Sequence, residues 1–238
     1  MDANFWHQRW ANGQIGFHQS TTHALLERWW PELAVPAGAA VYVPFCGKTL
    51  DMVWLAGLGH SVVGSELSAL AVAAFFAEQA LQPAVVAAGA YTRHVAPPFE
   101  ILEGDALALT AADLGPVVAS YDRAALVALP PGMRPRYAAH HAGLMPPGSR
   151  TLLISFEYPQ ERYEGPPFAV TRAEVQALYS PWFEVRELER VDVLAENPKF
   201  AQHGVGELLE VAYALVRTNR TPGTTRTTRT FRTPGTGP

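Results

Sequence analysis

Five residues in this chain follow short apolar segments and carry groups that could bind a ligand: Gly47, Glu66, Asp105, Asp122 and Arg123. A carboxylate at the end of a strand, about twenty residues after the first strand, can accept hydrogen bonds from both hydroxyls of a ribose, and Glu66 has this placement. Gly47 has no Cβ, so backbone can approach a ligand closely there. Asp105 can accept from the exocyclic amine of adenine. These residue types predict a site for an adenosine moiety.

The number and spacing of glycines after the first apolar segment distinguish between several kinds of nucleotide site. Only Gly47 follows that segment, so the G-x-G-x-x-G pattern of a dinucleotide site is missing. The Gly-Lys-Thr at 47–49 resembles the end of a phosphate-binding P-loop, for which Asp122 would supply the magnesium-binding acid. Tyr42, however, stands where such a loop needs its first glycine to wrap a phosphate chain. A nucleoside without phosphates is therefore favoured, and S-adenosylmethionine is the common one.

Apolar strands that alternate with helices are expected to position these residues. Strands are predicted at 39–45, 61–66, 99–103, 117–121 and 150–156, and helices at 48–58, 68–80, 134–144 and 172–179. This alternation predicts an α/β fold with a mostly parallel sheet and helices on both faces. Two final strands, 183–189 and 207–216, have no predicted helix between them and indicate an antiparallel hairpin at one edge.

Composition narrows the function classes. The 238 residues carry a formal net charge of −4, but four arginines and no acid fall within 218–238, so the rest of the chain carries −8. An acidic body argues against a nucleic-acid partner. No apolar run approaches the roughly twenty residues of a membrane span, and the single cysteine fits a reducing compartment. A cytoplasmic monomer is expected, with a disordered, low-complexity tail at 218–238.

Long motifs occur in order over residues 5–215. They are WHQRW at 6–10, GQIGFH at 13–18, VPFCGKTLDM at 43–52, GHSVVGSELS at 59–68, YDRAALVAL at 121–129 and GPPF at 165–168. These motifs resemble those of the thiopurine S-methyltransferase family, whose bacterial members are similar in length to this chain. The resemblance implies a single Rossmann-like, class I S-adenosylmethionine-dependent methyltransferase domain over 1–217, with an aromatic lid segment at 1–35.

The same resemblance implies an activity. The family transfers a methyl group from S-adenosyl-L-methionine to the sulfur of a small aromatic or heterocyclic thiol. An ionised thiol or thione needs alignment and a water-poor pocket more than a strong general base. Two alternatives remain open from the residues: methylation of selenium or tellurium species, and a nucleoside-binding module without catalysis.

Site roles carried over from the family fall on five residues. Trp10 would contact the cofactor, and Phe17 would form a wall of the acceptor pocket. Phe45 stands where the family has leucine and would still pack on the sulfonium ligand. Glu66 matches the ribose-binding acid. Arg123 matches an arginine where cofactor and acceptor meet, and would bind both and act in catalysis.

Some assignments stay open at this stage. A second basic residue of the family falls near Asn197, where Lys199 could substitute. Trp10 could instead be a core residue, and Arg123 could form a surface pair with Asp122. The histidines at 18, 23, 140 and 141 lack the spacing and partner acids of a metal site, so no metal is predicted.

Overall fold

A nine-stranded mixed sheet organises the part of the chain that the computed structural model describes, residues 3–219. In chain order the strands are β1 (Ala40–Val43), β2 (Ser61–Glu66), β3 (Ala84–Ala88), β4 (Tyr91–Ala96), β5 (Phe99–Glu103), β6 (Val117–Asp122), β7 (Arg150–Glu157), β8 (Phe183–Asp192) and β9 (Leu209–Arg217). Across the sheet they run β3-β4-β5-β2-β1-β6-β7-β9-β8. The five central strands are parallel. The predicted α/β class with a parallel centre is confirmed.

Both edges of the sheet differ from the sequence prediction. Strands β3 and β4 form an antiparallel hairpin against β5 that was not predicted. Its first strand is alanine-rich and exposed, so it lacks the aromatic and β-branched alternation that signals a strand. At the other edge β8 and β9 pair antiparallel, as predicted, but β9 also pairs with β7 and so lies inside β8. A short helix interrupts their connection, so they are not a tight hairpin.

Helices cover both faces of the sheet, as predicted. They are α1 (Ala3–Ala11), α2 (Ala24–Trp29), α3 (Leu50–Gly57), α4 (Ala69–Glu78), α5 (Ala111–Leu114), α6 (Arg134–Leu144), α7 (Arg172–Tyr179) and α8 (Pro198–Gln202). Because strand side chains alternate between faces, Val41 and Val43 pack in the core of α2, α3 and α4, whereas Tyr42 packs in the core of α6 and α7. Two apolar cores therefore hold the sheet between them.

Capping residues begin the two helices that follow β1 and β2. The side chain of Thr49 accepts from the backbone N–H of Asp51 at 3.2 Å, and α3 begins at the next residue. Ser68, the predicted N-cap of α4, accepts from the backbone N–H of Ala71 at 3.4 Å. These caps keep the β1–α3 and β2–α4 connections short at the carboxyl edge of the sheet.

Two of the predictions concern membrane-spanning helices and the C-terminal tail. Among residues 3–219, no helix combines the length and apolar character needed to cross a membrane. Most of the predicted tail, from residue 220 onward, lies outside the described residues.

Candidate active site

A cavity of about 390 Å³ opens at the carboxyl edge of the central strands. Seven residues predicted from the sequence line it, namely Trp10, Phe17, Phe45, Gly47, Glu66, Asp105 and Arg123, whereas Asp122 does not. They come from the N-terminal segment and from the ends of β1, β2, β5 and β6. Ligands of open α/β sheets bind at this edge, and one cavity there brings these seven residues together.

Glu66 ends β2 and holds the adjacent β1 loop. Its Oε2 accepts from the backbone N–H of Gly47 at 2.9 Å, and its Oε1 accepts from that of Ser68 at 2.8 Å. Burial raises the pKa of this carboxyl, against the effect of the backbone donors. Each carboxylate oxygen has room for about one more donor. The side chain is therefore fixed in place and can still accept two ligand hydroxyls.

The β1 loop turns sharply at Phe45 and Gly47. Phe45 has a φ of +48° and Gly47 a φ of +52°, and such angles favour glycine. A Cβ on Gly47 would lie 3.1 Å from Cζ2 of Trp10. The Phe45 ring contacts Tyr137 at 5.9 Å between centroids. Glycine is thus favoured at position 47 for two reasons, its backbone angle and the close approach of Trp10.

Aromatic side chains of the N-terminal segment form one wall of the cavity. Trp6 and Trp10 lie on one side of α1, and both contact Phe17 edge to face, at centroid distances of 5.9 and 5.7 Å. Farther along, Leu26 and Trp30 are buried in the core. Only the first half of the predicted lid segment therefore lines the cavity, and its second half packs in the apolar core shared with α3 and α4.

Arg123 follows β6 and faces the cavity, whereas its neighbour Asp122 does not. Nη1 of Arg123 donates to the backbone carbonyl of Phe17 at 3.4 Å. Asp122 is buried and accepts from the hydroxyl of Tyr137 at 2.6 Å and from two backbone N–H groups of the following turn. Burial raises the pKa of Asp122 to about 6. The alternative of a surface pair between Asp122 and Arg123 is wrong.

Asp105 lies at the other end of the cavity from Arg123, and its side chain is exposed. Its Oδ1 accepts from the backbone N–H of Leu107 at 2.9 Å, and its carbonyl accepts from the hydroxyl of Tyr91 at 3.2 Å. A Cβ on the preceding Gly104 would come within 2.6 Å of the Tyr91 ring. The unpredicted β3–β4 hairpin, through Tyr91, thus fixes the position of Asp105.

Asn197 and Lys199, the two positions considered for a second basic residue, both lie at the cavity. Asn197 donates from its side chain to the carbonyl of Val193 at 2.8 Å, a local contact. Nζ of Lys199 lies 5.3 Å from the ring centroid of Phe200 and 5.8 Å from that of Tyr163. Burial and the charge of Arg9 lower the pKa of Lys199. Of these two residues only Lys199 carries a positive charge, and Arg9, Arg123 and Arg136 line the same cavity.

Sequence reasoning gave no role to two further parts of the wall. One is the GPPF segment: Pro166 and Pro167 line the cavity, held by a hydrogen bond of 2.6 Å from the hydroxyl of Tyr158 to the carbonyl of Pro167. The segment was noticed as a motif, but nothing in it showed which way it faces. The other part is a buried polar group formed by Asp51, Tyr121 and Glu210. Its members lie far apart in the sequence, so spacing gave no signal.

The solved structures most useful for comparison share the fold at low sequence identity. A SAM-dependent methyltransferase from Anabaena variabilis matches with a TM-score of 0.62 at 14% identity, over 90% of this chain and 94% of the other. Geranyl diphosphate C-methyltransferase from Streptomyces coelicolor A3(2) matches with a TM-score of 0.56 at 16% identity, over 82% and 78%. The fold is that of class I S-adenosylmethionine-dependent methyltransferases.

Sequence relatives are much more similar. A thiopurine S-methyltransferase of Bordetella petrii is 49% identical over 217 residues, covering 91% of this chain and 99% of the relative. Another, of Pseudomonas fluorescens, is 48% identical over 215 residues, covering 90% and 99%. The model of the family described as thiopurine S-methyltransferase (TPMT) matches residues 1–218. The chain therefore belongs to the thiopurine S-methyltransferase family.

Proposed function

We propose that this protein transfers a methyl group from S-adenosyl-L-methionine to the sulfur of a small aromatic or heterocyclic thiol. One observation carries the proposal: the buried carboxylate of Glu66 accepts from the backbone of Gly47, against which Trp10 packs, and these residues share a cavity with Phe17, Arg123 and Lys199. The names of the relatives support the same activity.

The donor side of the cavity fits an adenosine with a sulfonium arm. Glu66 would accept from the ribose hydroxyls, and the exposed Asp105 would accept from the adenine amine. Gly47 leaves room for the ligand beside its backbone, and Trp10 would cover it. Phe45 would pack against the donor. When bound, the donor supplies a methyl carbon made electrophilic by the adjacent sulfonium.

The acceptor side fits a flat, anionic sulfur compound. Phe17 and Phe156, with the two prolines of the GPPF segment, form an apolar wall that would stack on a heterocycle and exclude water. Arg123 would hold the anionic sulfur in line with the donor, and Lys199 would attract a second anionic atom. Because a thiol that is already ionised needs no base, these residues only have to bind the acceptor, orient it and exclude water from it.

Three further properties belong to this proposal. The catalytic domain spans 1–217, which the extent of the family match supports, and 218–238 is a tail outside it. The protein works as a monomer, because the described residues of one chain supply every wall of the cavity named above. It acts in the cytoplasm on small molecules and not on nucleic acid, which the single buried cysteine and the acidic body support.

An acceptor panel tests the proposal. Release of S-adenosylhomocysteine is measured with 6-mercaptopurine, with simple aromatic thiols, with reduced selenium and tellurium species, and without acceptor. The proposal predicts release with the heterocyclic and aromatic thiols. Release with only the chalcogen species would favour the alternative acceptor class. Donor binding without release on any acceptor would identify a nucleoside-binding module instead.

A further inference from the structure

A half-buried glutamine, Gln160, lies behind the acceptor side of the cavity. It begins a single turn of 3₁₀ helix, Gln160–Arg162, soon after the end of β7. The same segment of chain continues to Pro166 and Pro167, which line the cavity, whereas Gln160 does not line it. Any influence of Gln160 on a bound ligand must therefore act through the residues that it holds.

The side-chain amide of Gln160 makes three hydrogen bonds, each to a different residue of this segment. Nε2 donates to the carbonyl of Tyr163 at 2.6 Å and to the hydroxyl of Tyr158 at 3.1 Å. Oε1 accepts from the backbone N–H of Ala169 at 2.7 Å. A carbonyl can only accept and an N–H can only donate, so these partners fix the orientation of the amide. Gln160 thereby connects the start, the turn and the end of the segment.

One wall that depends on Gln160 is formed by the two prolines. The hydroxyl of Tyr158 accepts from Gln160 and donates its own hydrogen to the carbonyl of Pro167 at 2.6 Å. Hydrogen bonds in such a chain polarise and strengthen one another. The bond from the N–H of Ala169 to Gln160 holds the backbone two residues farther on. Gln160 therefore fixes the backbone at Pro167 and just after it.

A second wall that depends on Gln160 is the one that carries Lys199. The ring of Tyr163, whose carbonyl Gln160 holds, lies 4.5 Å from the ring of Phe200 between centroids. Nζ of Lys199 lies within 6 Å of both ring centroids, at 5.8 and 5.3 Å, and a cation is attracted to an aromatic face at such distances. Lys199 and Phe200 line the cavity, whereas Tyr163 does not. Tyr163 therefore supports this wall from behind.

We propose that Gln160 is a positioning residue for the methyl acceptor, because its amide holds the proline wall and the Lys199 wall in place relative to each other. This inference rests on the proposed function, since it concerns the acceptor of the same reaction. Glu66 and Gly47, which would hold the donor, lie on other elements, at or soon after the ends of β2 and β1. Loss of the Gln160 amide therefore weakens binding of the acceptor and leaves binding of the donor unchanged.

Gln160→Met tests the inference, because methionine is similar in length and removes all three hydrogen bonds of the amide. Calorimetry should show 6-mercaptopurine bound about 5- to 10-fold more weakly by the protein saturated with S-adenosylhomocysteine, a loss of the size of one neutral hydrogen bond. The affinity for S-adenosylhomocysteine itself should be unchanged. In steady-state kinetics KM for the thiol should rise by the same factor while kcat is retained, since the lost interactions act on bound acceptor and transition state alike.

Further variants separate positioning from a general loss of stability. Gln176→Met makes the same substitution at an exposed position of α7 outside the cavity and should change neither affinity. Tyr158→Phe removes the hydroxyl between Gln160 and Pro167 and should weaken binding of 6-mercaptopurine by about 3- to 5-fold. The double variant of Gln160 and Tyr158 should lose less affinity than the product of the two single losses, because both act on one chain of hydrogen bonds.

Gln160→Glu serves where Gln160→Met does not fold. The glutamate keeps an oxygen that accepts from Ala169 and loses both donors, so it should give the same selective loss of affinity for 6-mercaptopurine.

The outcomes distinguish this inference from the proposed function. In a folded variant of Gln160, an unchanged affinity for 6-mercaptopurine, or an equal loss of affinity for both ligands, overturns the positioning role and leaves the methyltransferase proposal standing. Losses that multiply fully in the double variant also overturn it, because Gln160 would then not act through Tyr158. A parent protein that neither binds nor methylates any thiol of the acceptor panel overturns the proposed function and the positioning role with it.

Discussion

Arg123 donates from its guanidinium to the backbone carbonyl of Phe17 at 3.4 Å, a contact that joins the end of β6 to the N-terminal wall. The residue proposed to hold the acceptor sulfur is thereby fixed by the segment that covers the cavity. Asp122 supports the arrangement from behind, because its hydrogen bonds to Tyr137 and to the following turn fix the backbone at Arg123.

Arg123→Ala should lower kcat for an aromatic thiol by roughly 100-fold, the usual loss when one donor to a reacting anion is removed. The affinity for S-adenosylhomocysteine should fall much less, because Glu66 and Gly47 still hold the nucleoside. Arg123→Lys keeps the charge without the planar geometry, so its kcat should lie between that of the parent and that of Arg123→Ala. Steady-state kinetics and calorimetry measure the two quantities. An unchanged kcat in Arg123→Ala would remove the residue from the reaction.

Gly47→Ala should weaken binding of S-adenosylhomocysteine by about 10-fold and lower the free energy of unfolding by about 1–2 kcal/mol. The new Cβ meets Cζ2 of Trp10 at 3.1 Å on a backbone with a φ of +52°. Gly57→Ala, at a helical position with open space around its Cβ, is the matched control and should be neutral or stabilising. Calorimetry and chemical denaturation give both values. Equal effects at the two positions would contradict the account of the β1 loop.

Stability should depend on pH through Asp122. Its pKa is about 6 in the folded protein against 3.8 for an ordinary aspartate, so the unfolded chain releases this proton first as pH rises. The free energy of unfolding, relative to that of Asp122→Asn, should therefore fall by ~3 kcal/mol between about pH 3 and pH 8. Denaturation curves at several pH values measure this difference. A difference that is constant or rises with pH would show that Asp122 is not a strongly buried carboxyl.

Much of the parallel centre of the fold and the antiparallel pairing of β8 with β9 could be predicted from the sequence, whereas the β3–β4 hairpin and the position of β9 between β7 and β8 could not. The central strands are apolar runs between turn residues, and Ser68 marks the start of α4 by its capping side chain. The pairing of β7 with β9, such as Leu152 with Ala214, depends on contacts between distant segments that no local pattern reports. The exposed β3 has no apolar alternation, so its strand forms only through its pairing with β4.

Some residues of the candidate site could likewise be predicted from the sequence, and others could not. Gly47 and Glu66 could be found because each lies at or soon after the end of a strand and has a chemical type suited to a nucleoside. Residue type alone does not give the direction of a side chain at a strand end, so only the family resemblance, and not the chemistry of the two residues, favoured Arg123 over Asp122. Asp51 and Tyr121 approach each other only because β1 and β6 are neighbours in the sheet.

The central claim is that Glu66 binds the ribose of the donor. Calorimetry of Glu66→Ala with S-adenosylhomocysteine tests this claim most directly. Glu103→Gln is the matched control, because Glu103 pairs with Glu66 in register but does not line the cavity. The account predicts that Glu66→Ala, shown to be folded by its thermal unfolding, binds roughly 100-fold more weakly than the parent, while Glu103→Gln binds equally well. A folded Glu66→Ala that binds as tightly as the parent would contradict the account.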